Sequence, residues 1–265
     1  MKTVGEVLTY LLQKAPLSLA ESWDNCGLLV GSKQEHLKGV LLALDVNDRV
    51  IDHAIETGVN LIITHHPLIF KPVKKVSDED LVGNLVWRLA SNKISLITLH
   101  TNLDSCTDGT NDVVINMINL PLNRNVSPIE MSKDDLSQGL GRLVHFDTPV
   151  LFTELQQNFK NAFRETYIVE PFNGCPEYVN RIAICTGSGS SLTGDLLGKC
   201  DVYITGDITY HDAQFAQNAG LPMLVFTHYE SEVPVLRNLK IWLSDIGVDA
   251  DIMADEKKLR VLTPL

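Results

Sequence analysis

The chain has 265 residues, 45% of them hydrophobic and 21% charged, a composition that makes a globular protein with room for one large or two modest domains. A formal charge of −11 argues against a non-specific nucleic-acid binder, because a phosphate backbone is gripped by clustered Lys and Arg. The five cysteines, Cys26, Cys106, Cys175, Cys185 and Cys200, are odd in number and contain no CxxC pair, so they read as thiols of a reducing compartment, not as a disulfide framework or a thiolate zinc site.

The opening MKTVGEVLTYLLQKAP lacks the uninterrupted apolar core of a signal peptide, and no run reaches the length of a membrane span, so the expected location is cytoplasmic. From Thr3 to Gln13 the apolar residues Val4, Val7, Leu8, Leu11 and Leu12 recur at helical spacing, and Pro16 ends the pattern. In SWDNCGLLVG, Asp24, Asn25 and Gly27 mark a turn into a short strand, Leu28 to Val30. Trp23 and Asp24 read either as cleft-lining residues or as parts of that turn. Gly39 to Leu44 reads as a strand, Asp48 to Thr57 as a helix, and Asn60 to Thr64 as the next strand, a βαβ unit that makes the two strands parallel.

That second strand runs into THHPLIF. Pro67 removes a backbone donor and holds His66 extended, so the strand ends there and places His65 and His66 at its carboxyl end. In open α/β sheets that end is where ligands bind. Neighbours on a regular strand face opposite ways, so one metal ion does not easily take both imidazoles, whereas two ions side by side do. Taken alone, the pair reads as a strand cap and a hydrogen-bonded surface histidine.

The polar loop KPVKKVSDED leads to a helix, Asp80 to Asn92, and the strand Ile94 to Leu99 then ends in HTNLD. His100 and Asp104 therefore open on the same rim as His65 and His66. Asp104 sits ahead of a helix predicted over Thr110 to Ile118, where capping is its ordinary role. Beside two histidines at a neighbouring strand end, a carboxylate that bridges two ions is the better reading.

From Pro121 to Gln138 the periodicity is lost, which marks a crossing into a second lobe. Gly141 to Phe146 reads as a strand, Pro149 to Phe163 as a helix, and Thr166 to Val169 and Arg181 to Cys185 as strands, the last leading into TGSGSSL. This turn matches neither a P-loop nor the full dinucleotide fingerprint. Gly187 and Gly189 read first as a tight strand-to-helix turn and second as an anion site built from backbone N–H groups. Val202 to Thr205 is a strand, and GDITYHDAQFAQNAG continues as a helix that carries His211.

Met223 to Phe226 ends in THYESE. His228 and Glu232, four residues apart, share a helix face if His228 enters the first turn of the helix that begins near Ser231; otherwise they converge from a strand end and a helix start. Glu230 competes as the acid, and only spacing favours Glu232. Three strand ends that each supply His or an acid point together to a metal site, a coincidence that no single one carries.

SWDNCGLLVG, THHPLIF, LHTNLD, TGSGSSL, TGDITYHDA and FTHYESE, in this order and across nearly the whole chain, resemble the Nif-three-like dinuclear-metal proteins, a family that carries the label GTP cyclohydrolase 1 type 2 homologue. The resemblance implies two divalent metal ions per chain, held by His65, His66, Asp104, His228 and Glu232. It further implies an α/β fold of two lobes with mixed, largely parallel sheets and the metal site in the cleft between them, in the short form without the family's inserted domain. Residues 1–123 with 226–265 are the expected first lobe and 124–225 the second, because the family's C-terminal helix packs on the first lobe. A homohexamer, a trimer of dimers, is the implied assembly.

Three imidazoles and two carboxylates leave two divalent ions with open positions and net positive charge, which water and an anionic ligand complete. Ions about 3.5–4 Å apart lower the pKa of a bridging water and stabilise an oxyanion, which is the equipment of a hydrolase. His100, outside this ligand set, is the candidate catalytic acid/base or an outer partner of a ligand. The donors suit Zn, Mn, Fe or Ni without choosing among them. The expected activity is hydrolysis of a nucleotide or related small anionic phosphate compound, with GTP ring opening as the instance the family label implies. The alternative is a metal-binding regulatory or scaffold protein without turnover. Binding of single-stranded nucleic acid is disfavoured by the acidic charge unless Lys71, Lys74 and Lys75 line an opening.

Overall fold

The computed structural model describes residues 2–132 and 135–253, and the expected place of 254–265 in the first lobe lies outside them. In chain order the elements are α1 (Val4–Lys14), β1 (Gly27–Val30), β2 (Val40–Ala43), α2 (Asp48–Thr57), β3 (Leu61–Thr64), α3 (Leu81–Ser91), β4 (Ser95–Thr98) and α4 (Thr101–Ser105). There follow α5 (Thr110–Met117), β5 (Arg124–Ser127), β6 (Glu130–Met131), β7 (Gly139–Leu140), β8 (Arg142–Leu151), α6 (Phe152–Ala162), β9 (Thr166–Val169) and β10 (Tyr178–Cys185). The chain continues with α7 (Thr193–Leu196), β11 (Val202–Thr205), α8 (Tyr210–Ala219), β12 (Met223–Phe226), α9 (His228–Glu232), α10 (Val235–Asp245) and β13 (Ala250–Met253). Two compact units result, divided after Cys106 and again after Pro234.

The first unit is built on a five-stranded sheet in the order β1-β4-β3-β2-β13. β13, β2, β3 and β4 pair in parallel, and β1 closes one edge antiparallel to β4. Every residue of β2, β3 and β4 is buried, as strands covered on both faces require. Leu41, Ala43, Ile62 and Leu96 pack in one core with Val50, Ile51 and Ala54 of α2 and Leu85 and Leu89 of α3. Each fully buried Val, Leu or Ile among them contributes about 2 kcal/mol. α2 is bounded by Asn47, whose side chain accepts from the Val50 N–H at 3.1 Å, and by Gly58 at φ +72°. α10 buries Leu236, Leu239 and Leu243 and packs on β13 and β2.

The second unit holds a six-stranded sheet in the order β5-β8-β10-β11-β12-β9 and the short ribbon β6-β7. Its centre, β10-β11-β12, is parallel; β8 and β9 flank it antiparallel, and β5 pairs antiparallel with β8 at the outer edge. Val144, Ile182, Ile204 and Phe226 face Phe152, Leu155 and Phe159 of α6 in one core.

Three local expectations are corrected. The helix expected from Pro149 begins at Phe152, because Val150 and Leu151 continue β8 and pair with Val179 and Tyr178. For the same reason β10 starts at Tyr178, ahead of the expected Arg181. Within Pro121 to Gln138, where the sequence shows no periodicity, Arg124–Ser127 pairs with β8 despite its polar composition, as an edge strand with a solvated face can. The second unit begins at Thr107, not at residue 124, since Val114, Ile115 and Ile118 belong to the second sheet's core, and it ends at Pro234, not at residue 225. All five cysteines are free thiols. Among the described residues no helix is long and apolar enough to cross a membrane.

Candidate metal centre

In the first unit three parallel strands deliver their carboxyl ends to one edge, and each end carries chemistry. Asp45 follows β2, His65 and His66 follow β3, and His100 precedes α4 after β4. The strand β3 ends at Thr64, so the alternation expected to separate His65 from His66 no longer governs them. Their ring centroids lie 5.0 Å apart, and His100 stands 5.2 Å from His65 and 5.7 Å from His66. One ligating atom from each of the three imidazoles falls within 4.8 Å of the others, so a single ion can meet more than one of them.

Each ring is held by the same device. His65, fully buried, directs Nδ1 at the Leu99 carbonyl at 2.9 Å. His66 directs Nδ1 at Asp45 Oδ1 at 2.8 Å, and its backbone N–H donates to Leu44 O at 2.9 Å. His100 directs Nδ1 at Asp24 Oδ1 at 2.9 Å. An oxygen acceptor at Nδ1 fixes that nitrogen as the protonated one and leaves Nε2 with its lone pair, the form in which imidazole binds a metal. Asp104 approaches from the short helix α4, with Oδ1 3.6 Å from His65 Nε2. Asp104 stands ahead of α5, as expected, and lies in a helical turn of its own, Thr101–Ser105.

Asp24 anchors this half of the site. Its Oδ2 accepts from the Thr101 N–H at 3.0 Å, from the Thr101 hydroxyl and from the Cys26 thiol at 3.1 Å, while Oδ1 takes His100. Burial pushes its carboxyl up, but the hydrogen bonds from His100, Thr101 and Cys26 outweigh burial and hold it well below the usual carboxylate range. One carboxylate thereby fixes both His100 and the start of the helix that carries Asp104. The neighbouring Cys26 thiol is pushed up to about 12 by burial and by Asp24, so it stays protonated.

The second unit repeats the pattern at the ends of β10, β11 and β12. His228 opens α9 and Glu232 closes it, so the four-residue spacing places them on one helical face, with His228 Nε2 3.0 Å from Glu232 Oε2. The helix begins at His228, three residues ahead of the expected Ser231, because the Thr227 hydroxyl caps it by accepting from the Glu230 N–H. His228 Nδ1 meets Asp207 Oδ2 at 2.6 Å, the same anchoring as in the first unit. Burial lowers the affinity of this imidazole for its proton, but Asp207 and Glu232 outweigh that and raise its pKa to about 10. A cation is therefore favoured at this spot. Glu230 accepts from the backbone N–H of Arg164 and of Glu165, at 3.3 and 2.9 Å, and is thus committed to holding a loop.

The glycines of TGSGSSL serve close packing. A Cβ on Gly187 would lie 2.3 Å from Glu232 Oε1, and its φ is +68°. Its N–H donates to Ser231 Oγ at 2.9 Å, and the Gly189 N–H donates to Thr205 Oγ1 at 3.2 Å, so both amides are taken up internally, away from an anion. His211 is exposed on α8 and stacks edge-on with Tyr210. Sequence reasoning missed the roles of Asp45 and Asp207; the available signal was that each comes two residues after a buried strand, close to where His65 and His66 follow theirs.

Nitrogen and oxygen donors alone, with every imidazole anchored at Nδ1, suit a borderline divalent ion such as Zn, Mn, Fe or Ni. Residues 2–256 match the family described as Duf34/NIF3 (NGG1p interacting factor 3). A Clostridium perfringens protein named GTP cyclohydrolase 1 type 2 homolog is 34% identical over 237 residues, which span 88% of each chain. Among solved structures, a Staphylococcus aureus hypothetical protein superposes with a TM-score of 0.82 at 28% identity, covering 99% of each chain. Reduced HcgD from Methanocaldococcus jannaschii matches with a TM-score of 0.82 at 30% identity, over 96% of this chain and 98% of its own.

Proposed function

Since the chain belongs to the Duf34/NIF3 family, we propose that it is a metal-dependent hydrolase in which His65, His66, Asp104, His228 and Glu232 hold two divalent ions and the substrate is a nucleotide or related phosphate compound. The observation that carries this reading is the anchoring of His65, His66 and His228 through Nδ1 by an oxygen acceptor, which leaves Nε2 to hold a metal or, at metal-free His228, a proton shared with Glu232. Glu232 is the acid of the second half in place of Glu230, whose carboxylate is engaged with backbone amides.

The ions, when bound, supply Lewis-acid polarisation of a substrate oxygen and an activated water. His100 is the proton-transfer group: Asp24 holds its Nδ1 proton, and Nε2 accepts or returns a proton at the reacting atoms. In the first unit the burial of His65 and Asp104 keeps bulk water from these donors. The name of the Clostridium relative supports GTP ring opening as the specific reaction. A homohexamer in the cytoplasm is proposed from the family resemblance alone.

A second reading rests on the family description, NGG1p interacting factor, which supports a metal-organised protein-interaction role without turnover. Incubation of the metal-loaded protein with a nucleotide panel that includes GTP, before and after chelation, separates the two. Consumption of one nucleotide that stops with chelation is the expected result. Absence of turnover from metal-loaded protein overturns the hydrolase reading and favours the second.

A further inference from the structure

Two large aromatic side chains stand uncovered beside the histidine cluster of the first unit. Trp23 is 57% exposed and Phe70 49%, whereas Leu68 and Ile69, immediately before Phe70, pack against the core. The Trp23 and Phe70 ring centroids are 5.7 Å apart with planes at 66°, so the pair forms a corner with one face and one edge. Trp23 also meets His100, at 6.3 Å and 73°. The corner is held rigidly from behind: Asn25 Nδ2 donates to Ile69 O at 2.6 Å, and Asp24, next to Trp23, is locked onto His100 and Thr101. The loop that leaves Phe70 carries the exposed lysines Lys71, Lys74 and Lys75.

We infer that Trp23 and Phe70 form a platform for the planar heteroaromatic ring of an anionic substrate, with the lysines of the adjoining loop facing its phosphates, an inference that rests on the nucleotide reading above. A π-face binds a base without base-specific hydrogen bonds, which suits a site that has no purine-reading motif. The position beside His100 places such a ring next to the proton-transfer group. Lysines supply charge to phosphate in a chain that is otherwise acidic.

The test uses metal-loaded protein and two probes, GTP and inorganic tripolyphosphate, whose affinities are measured by calorimetry for wild type, Trp23→Ala, Trp23→Phe and Phe70→Ala. Metal content and molecular mass are measured on the same samples. The expected result is a loss of GTP affinity of roughly tenfold or more in Trp23→Ala, a smaller loss in Phe70→Ala, near-recovery in Trp23→Phe, and tripolyphosphate affinity, metal content and mass unchanged. Equal losses for both probes, no loss for either, or a wild type that does not bind GTP overturns the platform. A change of mass in Trp23→Ala also overturns it and assigns the rings to contact with a second copy of the chain. The two proposals fail separately: GTP that binds through Trp23 but is never consumed refutes the hydrolase and keeps the platform. Metal-dependent consumption of GTP that is indifferent to Trp23→Ala refutes the platform and keeps the hydrolase.

Discussion

The two units set their polar groups on the same scaffold feature, the carboxyl ends of three adjacent parallel strands, but they fill it differently. The first unit gathers three imidazoles, braced by Asp24, Asp45 and the Leu99 carbonyl. The second offers one imidazole and a buried carboxylate on a single helical turn, and glycine turns make the space. The difference teaches that ligand placement has two routes: bracing side chains that hold a ring, or a backbone that leaves room for one. The first route is sensitive to loss of a hydrogen bond, the second to gain of a single carbon.

The largest effect is expected on the backbone route. A Cβ at Gly206 would lie 2.4 Å from the Gly187 carbonyl oxygen, a contact with no flexible end to move. Gly206→Ala should therefore destabilise the protein by about 1–3 kcal/mol and displace the Gly187 turn, measured by denaturant unfolding. Unchanged stability would break the claim that close packing governs this half.

Removing a ligand comes next. Asp104→Ala and Glu232→Ala should each release metal on elemental analysis while shifting the melting temperature of the chelated protein by no more than about 4 °C, because coordination is their proposed role. Glu230→Ala should keep its metal and lose about 1 kcal/mol from the two amides it satisfies, at Arg164 and Glu165. The reverse result would make Glu230 the ligand.

Loss of a bracing carboxylate is expected to act alike in both units. Asp45→Asn and Asp207→Asn retain shape but weaken the hold on Nδ1 of His66 and of His228, and each should lower metal affinity by about 10–100-fold. Competitive titration against a coloured chelator measures it, and a fall below twofold would contradict the anchoring argument.

A pH dependence is expected in the metal-free second unit. The folded pKa of His228, about 10, lies above its ordinary 6.5, so its contribution to stability is full below about pH 6.5 and is lost as pH rises through 10. Thermal melts of chelated protein should show a decline over that window, and Asp207→Asn should flatten it. A stability that rises over the same window in the wild type would refute the assigned charge state.

How much of this was legible in the sequence follows from the same contrast. The βαβ run of the first unit, β2-α2-β3-α3-β4, was readable because its strands are short, wholly apolar and separated by amphipathic helices. His65, His66 and His100 stood out as rare polar residues at the ends of apolar runs. The second unit was less legible because its edge strand Arg124–Ser127 is polar and Pro149 lies inside a strand, where it mimics a helix start. Asp24, Asp45 and Asp207 could not be assigned as braces, since which acid meets which imidazole depends on strand neighbours distant in sequence. Spacing alone favours Glu232 over Glu230 in the sequence, and the amides of Arg164 and Glu165 that engage Glu230 are invisible there because they lie far away along the chain.

The measurement that tests the central claim most directly is the metal content per chain, by elemental analysis, of protein purified without chelator and then refilled with Zn²⁺ or Mn²⁺. About two ions per chain is the predicted result, falling on replacement of ligands in either unit. A chain that stays empty after refilling, or one whose metal content is indifferent to both Asp104→Ala and Glu232→Ala, would contradict the account.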